Sequence, residues 1–244
     1  MGEDTKKWQD TLYIWDGIVT VDDTGVGVDA DANAQVSWEG TWVPVEEADA
    51  TRAKAPKRNA FAEYIDSDLK FNVTGSAAAV DTKEDAPMKL FISKLTDGDG
   101  WDMESGGEKK KYADKEHEVM VKSLRWSGNM FDQTENLIVA KGTNEFGSFV
   151  SAGWMRPGNR WTLARRYLSE ENDPRAKLSL RDLQNAVIDE TVQVVADTGQ
   201  QKLKIPPWQC SVLHAENQGP PKTGEKRKAD GEADGESPSK EPKQ

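Results

Sequence analysis

"SFVSAGWMRPGNRWTLARRYL" (Ser148–Leu168) decides the fold. Two runs of alternating large and small residues flank Arg156-Pro157-Gly158-Asn159, where a proline that fixes φ precedes a glycine that accepts positive φ. The stretch predicts a β-hairpin. With Pro157 and Gly158 at its tip, Trp154 faces Trp161, Ala152 faces Leu163, Val150 faces Arg165 and Ser148 faces Tyr167. Side chains in a strand repeat every second residue, so Phe146, Val150, Ala152 and Trp154 then share an apolar face with Trp161, Leu163 and Tyr167. Phe149, Ser151 and Gly153 with Thr162, Ala164 and Arg166 make the smaller, semi-polar face. Arg165 is the misfit on the apolar side: it sits at an open rim or lies over an aromatic ring, and holding a ligand anion is the sharper alternative.

The same short period recurs in "TLYIWDGIVTV", "AQVSWEGTWVPV", "LKFNVTGSAAAV", "PMKLFISKL", "EVMVKSLRWSG" and "NLIVAKG", with "DDTGVG" and "TDGDG" as turn signals between them. The fold class is mainly β, a curved antiparallel sheet closed as a barrel or stacked as a two-sheet sandwich. Trp-x-Gly occurs three times, at Trp15, Trp38 and Trp126, and each pair puts a bulky ring beside a missing side chain on one face, which relieves crowding in a curved sheet. The pattern changes at "SLRDLQNAVIDETV", where Leu180, Leu183, Val187 and Ile188 recur at helical spacing behind Ser179 as N-cap. One short helix is expected near 180–191, covering a sheet edge or plugging an open end. "QKLKIPPWQCSVLHA" then reads as a last edge strand interrupted by Pro206-Pro207.

Residues 1–214 form one mainly-β domain on this reading, and 215–244 a disordered tail, since nothing after His214 is aromatic, Ile, Leu, Val or Met. Lys226-Arg227-Lys228 in that tail is either a nuclear-targeting cluster or a chance charge run. The net charge of −11 is concentrated near the N-terminus, where residues 1–50 carry twelve acids and two lysines. That balance argues against nucleic-acid binding by the domain, which needs basic patches. A single cysteine, Cys210, excludes an intrachain disulfide and a Cys-based zinc site. No apolar leader or membrane span is visible, so the expectation is an intracellular chain, in nucleus or cytoplasm, with no membrane partner.

Catalytic constellations are largely missing. His117 lies in a charged stretch and His214 at the tail boundary; there is no nucleophile elbow, phosphate loop or dinucleotide fingerprint, so no catalytic residues and no cofactor are assigned. "DADAN" and "DGDGWDMESGGE" alternate oxygen ligands as calcium loops do, but Ala34 and Asp102 stand at the glycine position, Gly40 replaces the closing acid in the first and Trp101 a ligand in the second, so they read as solvated acidic turns, with no metal site assigned. Gly40-Thr41-Trp42 together with Arg165 resembles the Gly-x-Trp and late-strand Arg pairing of lipocalins, although another Trp-x-Gly strand precedes it here. The resemblance implies a curved antiparallel sheet and names no ligand. The alternative function is a lipocalin-like barrel that holds a small apolar or anionic ligand against Trp154, Trp161, Arg165 and Tyr167, with or without chemistry. The leading expectation is a non-enzymatic interaction module whose acidic N-terminal face, Asp22–Glu47, binds another protein.

Overall fold

Two of the three Trp-x-Gly segments become neighbouring staves of a closed barrel. The computed structural model describes residues 11–22, 34–46, 67–80, 90–105, 107–123, 136–156, 158–168 and 173–214; Trp126-Ser127-Gly128, "DADAN", the tail and its Lys226-Arg227-Lys228 cluster lie outside them. The strands are β1 (Thr11–Asp22), β2 (Ala34–Glu46), β3 (Lys70–Val80), β4 (Leu90–Ser105), β5 (Glu108–Tyr112), β6 (Glu116–Ser123), β7 (Asn136–Asn144), β8 (Gly147–Arg156) and β9 (Arg160–Tyr167). Among the described residues, eight of them close an antiparallel barrel in the order β1-β2-β3-β4-β6-β7-β8-β9 and back to β1. Closure leaves a barrel in place of a sandwich, and each strand lies beside its sequence neighbour, as short connections dictate. β5 and β6 both pair with β4 and together follow it like one interrupted strand.

Gly17 and Gly40 face each other across the β1–β2 ladder. A Cβ at Gly40 would lie 2.1 Å from the Asp16 carbonyl oxygen, and one at Gly17 2.2 Å from that of Glu39, so only glycine lets the two backbones cross this closely. The Phe71 ring lies over Gly17, where a Cβ would come within 2.9 Å of it, and Trp15 stacks on Trp42 at 5.9 Å and 15°. The Trp-x-Gly spacing thus sets curvature, as expected.

The β8–β9 hairpin forms, but in a register one residue from the expected one. Trp154 pairs with Thr162, Ala152 with Ala164 and Val150 with Arg166, while Phe149 pairs with Tyr167, Ser151 with Arg165, and Met155 with Trp161. Arg156 pairs with Arg160, so the loop has three residues, and Gly158 and Asn159 both take positive φ (79° and 55°). An odd loop reverses which residues face one another. Trp161 therefore points into the barrel and Trp154 out of it. Hydrophobicity did not separate the two faces, because both are buried.

"TDGDG" is not a turn. Gly98 (φ 95°) and Gly100 (φ 75°) bend β4 without ending it, and the β3–β4 register shifts alongside, between Asn72 and Ser76. Asp97 and Asp99 are exposed on this irregular strand.

The outer wall is covered by the C-terminal part of the chain. Helix α1 (Leu180–Thr191) begins where the sequence places it, with Ser179 Oγ accepting the Asp182 N–H at 3.1 Å. It neither caps an edge nor plugs an end: it contacts the outside of β6 and β7, and Leu183 and Val187 are buried in an outer core with Met120, Leu137 and Val139. The expected last strand, β11 (Gln200–Leu203), pairs with β10 (Val192–Val195) in a separate ribbon. Two 3₁₀ turns, Pro207–Gln209 and Ser211–Leu213, then lay Trp208 on Trp154 at 4.3 Å. Arg166 donates to the Leu213 carbonyl at 2.7 Å, and Arg175 to those of Val212 and His214 at 2.9 and 2.7 Å, so this layer is pinned by guanidinium groups as well as by apolar contact. No helix among the described residues is long and apolar enough to cross a membrane.

Candidate functional site

The barrel interior is lined by rings. Trp38 on β2 stands at the centre of the set, with ring centroids 6.1 Å from Trp15, 4.6 Å from Phe71, 5.9 Å from Trp161 and 6.3 Å from His117; Trp101 continues it at 5.8 Å from Trp15. These distances are those of packed aromatic pairs. Trp42 satisfies its indole N–H on the Asp102 carbonyl at 2.9 Å. The indole N–H groups of Trp15, Trp38, Trp101 and Trp161 are fully buried and meet no hydrogen-bond acceptor, and the two ring nitrogens of His117 are buried without a hydrogen bond of full geometry. Buried polar groups are ordinarily paired, so six unpaired atoms on a contiguous ring cluster are exceptional.

At one end of the cluster lies a charged network that sequence reasoning missed. The break between β5 and β6 turns Asp114 inward, between exposed Ala113 and Lys115. Arg165 holds it in a fork, with Nη1–Oδ1 3.2 Å and Nη2–Oδ2 2.9 Å. The guanidinium is only 1% exposed and is sandwiched between rings, 4.1 Å above Trp15 and 3.7 Å from Phe149. Of the readings open for Arg165, the cation–π one holds and the open rim does not. The ring beneath it is Trp15, with Trp42 stacked one layer on, so the Gly40-Thr41-Trp42 segment is a step removed from the arginine. Asn144 Nδ2 donates both to Asp114 Oδ1 at 2.9 Å and to the Tyr167 hydroxyl at 2.8 Å.

His117 is not in a charged loop but in β6, 1% exposed, among Trp38 and Phe149. Its signal was the alternation His117, Val119, Val121, which puts the imidazole on the apolar face. Nδ1 lies 3.1 Å from Asp114 Oδ2, short of full hydrogen-bond alignment. Burial pulls the imidazole below its ordinary range, Asp114 opposes that, and Arg165 adds to it, so the ring is neutral. Burial would raise the Asp114 carboxyl, but Arg165, then His117 and Asn144, hold it well below the usual carboxylate range. Burial pushes the hydroxyl of Tyr13, at the same end, up to about 12, with Tyr167 adding to it. Asp114 and Arg165 thus cancel one another.

Of the four residues proposed to hold a ligand, Trp161, Arg165 and Tyr167 share the interior of β9, whereas Trp154 stands on the outer wall against Trp208. His214 is half-buried, with Nε2 3.2 Å from the Gln209 carbonyl oxygen. Among the described residues no three His, Cys, Asp or Glu side chains converge as metal ligands. Much of the acidic Asp22–Glu47 stretch, residues 23–33 and 47, lies outside the described residues. No family model matches the chain, and neither the curated proteins nor the solved structures provide a match to it.

Proposed function

We propose that the barrel is a binding protein whose interior receives a small, uncharged, largely apolar molecule bearing acceptor oxygens. The observation that carries this reading is the set of four buried indole N–H groups without acceptors, at Trp15, Trp38, Trp101 and Trp161. A core built only for stability would satisfy such donors or use rings without them, because an unpaired buried donor costs about 1–3 kcal/mol. An eight-stranded barrel is wide enough either to be filled by side chains or to hold one small ligand. Charge selects within the ligand class: Arg165 is already engaged by Asp114, so an anion would enter beside a carboxylate with no free counter-charge. The uncharged branch of the ligand reading is therefore favoured over the anionic one, and the acidic-face reading has no comparable geometric support.

The test is a titration of the full-length chain with coumarin, a neutral planar molecule with carbonyl and ring-oxygen acceptors, followed by tryptophan emission, against coumarin-3-carboxylate. The expected result is saturable one-to-one binding of coumarin and at least tenfold weaker binding of the carboxylate. Saturation by neither, or tighter binding of the anion, overturns the reading.

A further inference from the structure

The indoles present donors, but the unpaired Nε2 of His117 is of the opposite kind. Asp114 is ionised and anchored by two bonds from Arg165 and one from Asn144. A carboxylate oxygen 3.1 Å from His117 Nδ1 can face a protonated nitrogen; against a lone pair the contact would be repulsive. With the ring neutral, the proton on Nδ1 leaves a lone pair on Nε2, and that atom is buried with no donor to fill it. The imidazole is locked in place by Trp38 and Phe149, whose rings meet it edge to face at 6.3 and 5.4 Å. Trp38 carries an unpaired N–H and stands between His117 and Trp161, which carries another. An acceptor beside a run of donors, all walled by rings, is a pattern that recognises an aromatic alcohol: its O–H donates to the imidazole, and its oxygens accept from the indoles.

Building on the ligand-binding reading above, we propose that His117 Nε2 is the acceptor that selects hydroxylated aromatic molecules over their ethers. Replacing the hydroxyl hydrogen by methyl leaves the ring and its acceptors intact but leaves the buried lone pair unfilled, and a site that pairs a hydroxyl rejects the analogue lacking it. The neutral alcohol is the form recognised, since a phenolate has no proton to donate to Nε2.

The experiment titrates the full-length chain with coumarin, with 6- and 7-hydroxycoumarin and with the two corresponding methoxycoumarins. At least one hydroxyl compound is expected to bind ten times more tightly than its own ether, and His117→Phe is expected to equalise the pair. If each pair agrees within twofold in the wild-type chain while coumarin binds, the His117 assignment fails and the ligand reading stands. If no coumarin binds, it is the ligand reading that fails, and the assignment with it. Because His117→Phe could disturb packing, a second measurement needs no substitution: histidine-labelled nitrogen NMR at pH 7 should show His117 with the proton on Nδ1 and a bare Nε2 that shifts on adding the hydroxyl compound. A proton on Nε2, or a charged ring, would overturn the proposal.

Discussion

Acidifying the protein from pH 7.5 to pH 5 should destabilise it through one residue. His117 is neutral when folded because burial holds its pKa below the 6.5 of a free imidazole, with Asp114 and Arg165 facing it and the surrounding rings uncharged. The unfolded chain therefore takes up a proton that the barrel does not, and stability falls as pH falls through the unfolded value. Each pH unit below that value costs at most about 1.4 kcal/mol, for as long as the folded ring stays neutral. For a chain of this size each kcal/mol lost lowers Tm by about 2–4 °C. The assay is urea unfolding at a series of pH values, read by tryptophan emission and circular dichroism, on the wild-type chain and on His117→Phe. The difference in slope between the two isolates His117 whatever their absolute stabilities. Equal slopes would refute the assignment of a buried neutral imidazole. The Asp114 contribution runs in the same direction in a lower window: its folded pKa is depressed below 3.8, so that stability is present above pH 4 and is lost as pH falls further.

Removing one partner of the buried pair should be far worse than removing both: Arg165→Met strands the Asp114 carboxylate and is expected to cost about 3–5 kcal/mol, whereas adding Asp114→Asn to it should recover much of the loss in a urea double-mutant cycle. Gly40→Ala places a methyl 2.1 Å from the Asp16 carbonyl oxygen and should cost at least about 1–3 kcal/mol as β1 and β2 are forced apart, seen as a lowered urea midpoint. Trp38→Phe keeps a ring in the lining but removes one donor, so coumarin affinity should fall about threefold to tenfold with the protein still folded; an unchanged dissociation constant would remove that indole from the binding set.

Most strands were readable as short apolar-rich runs between turn signals, but β5, exposed from Glu108 to Lys111, was not; the helix was readable from Ser179 and the Leu180, Leu183, Val187 spacing. Which face of β8 and β9 looks inward was not readable. Val150, Ala152 and Trp154 are as apolar as the residues that line the barrel, since α1 and the Trp208 segment cover them from outside, and a strand buried on both faces has no polar side to orient it. The loop count then rested on Asn159, whose positive φ is uncommon for anything but glycine. Asp114 was hidden for a different reason: it lies in "YADKEHEV", where Ala113, Lys115 and Glu116 are indeed exposed, and only the strand break points this one carboxylate inward. Arg165, recognisable as a misfit on an apolar strand, was legible as a cation–π partner, but its true counter-ion was fifty-one residues away.

Indole nitrogen NMR of the full-length chain, with signals assigned by single Trp→Phe variants and followed while coumarin is added to saturation, tests the binding interior most directly. The account predicts that the N–H resonances of Trp15, Trp38, Trp101 and Trp161 move together, while Trp42, already bonded to Asp102, and the outer pair Trp154 and Trp208 stay in place. Movement confined to Trp154 and Trp208, or none at saturating coumarin, would contradict it.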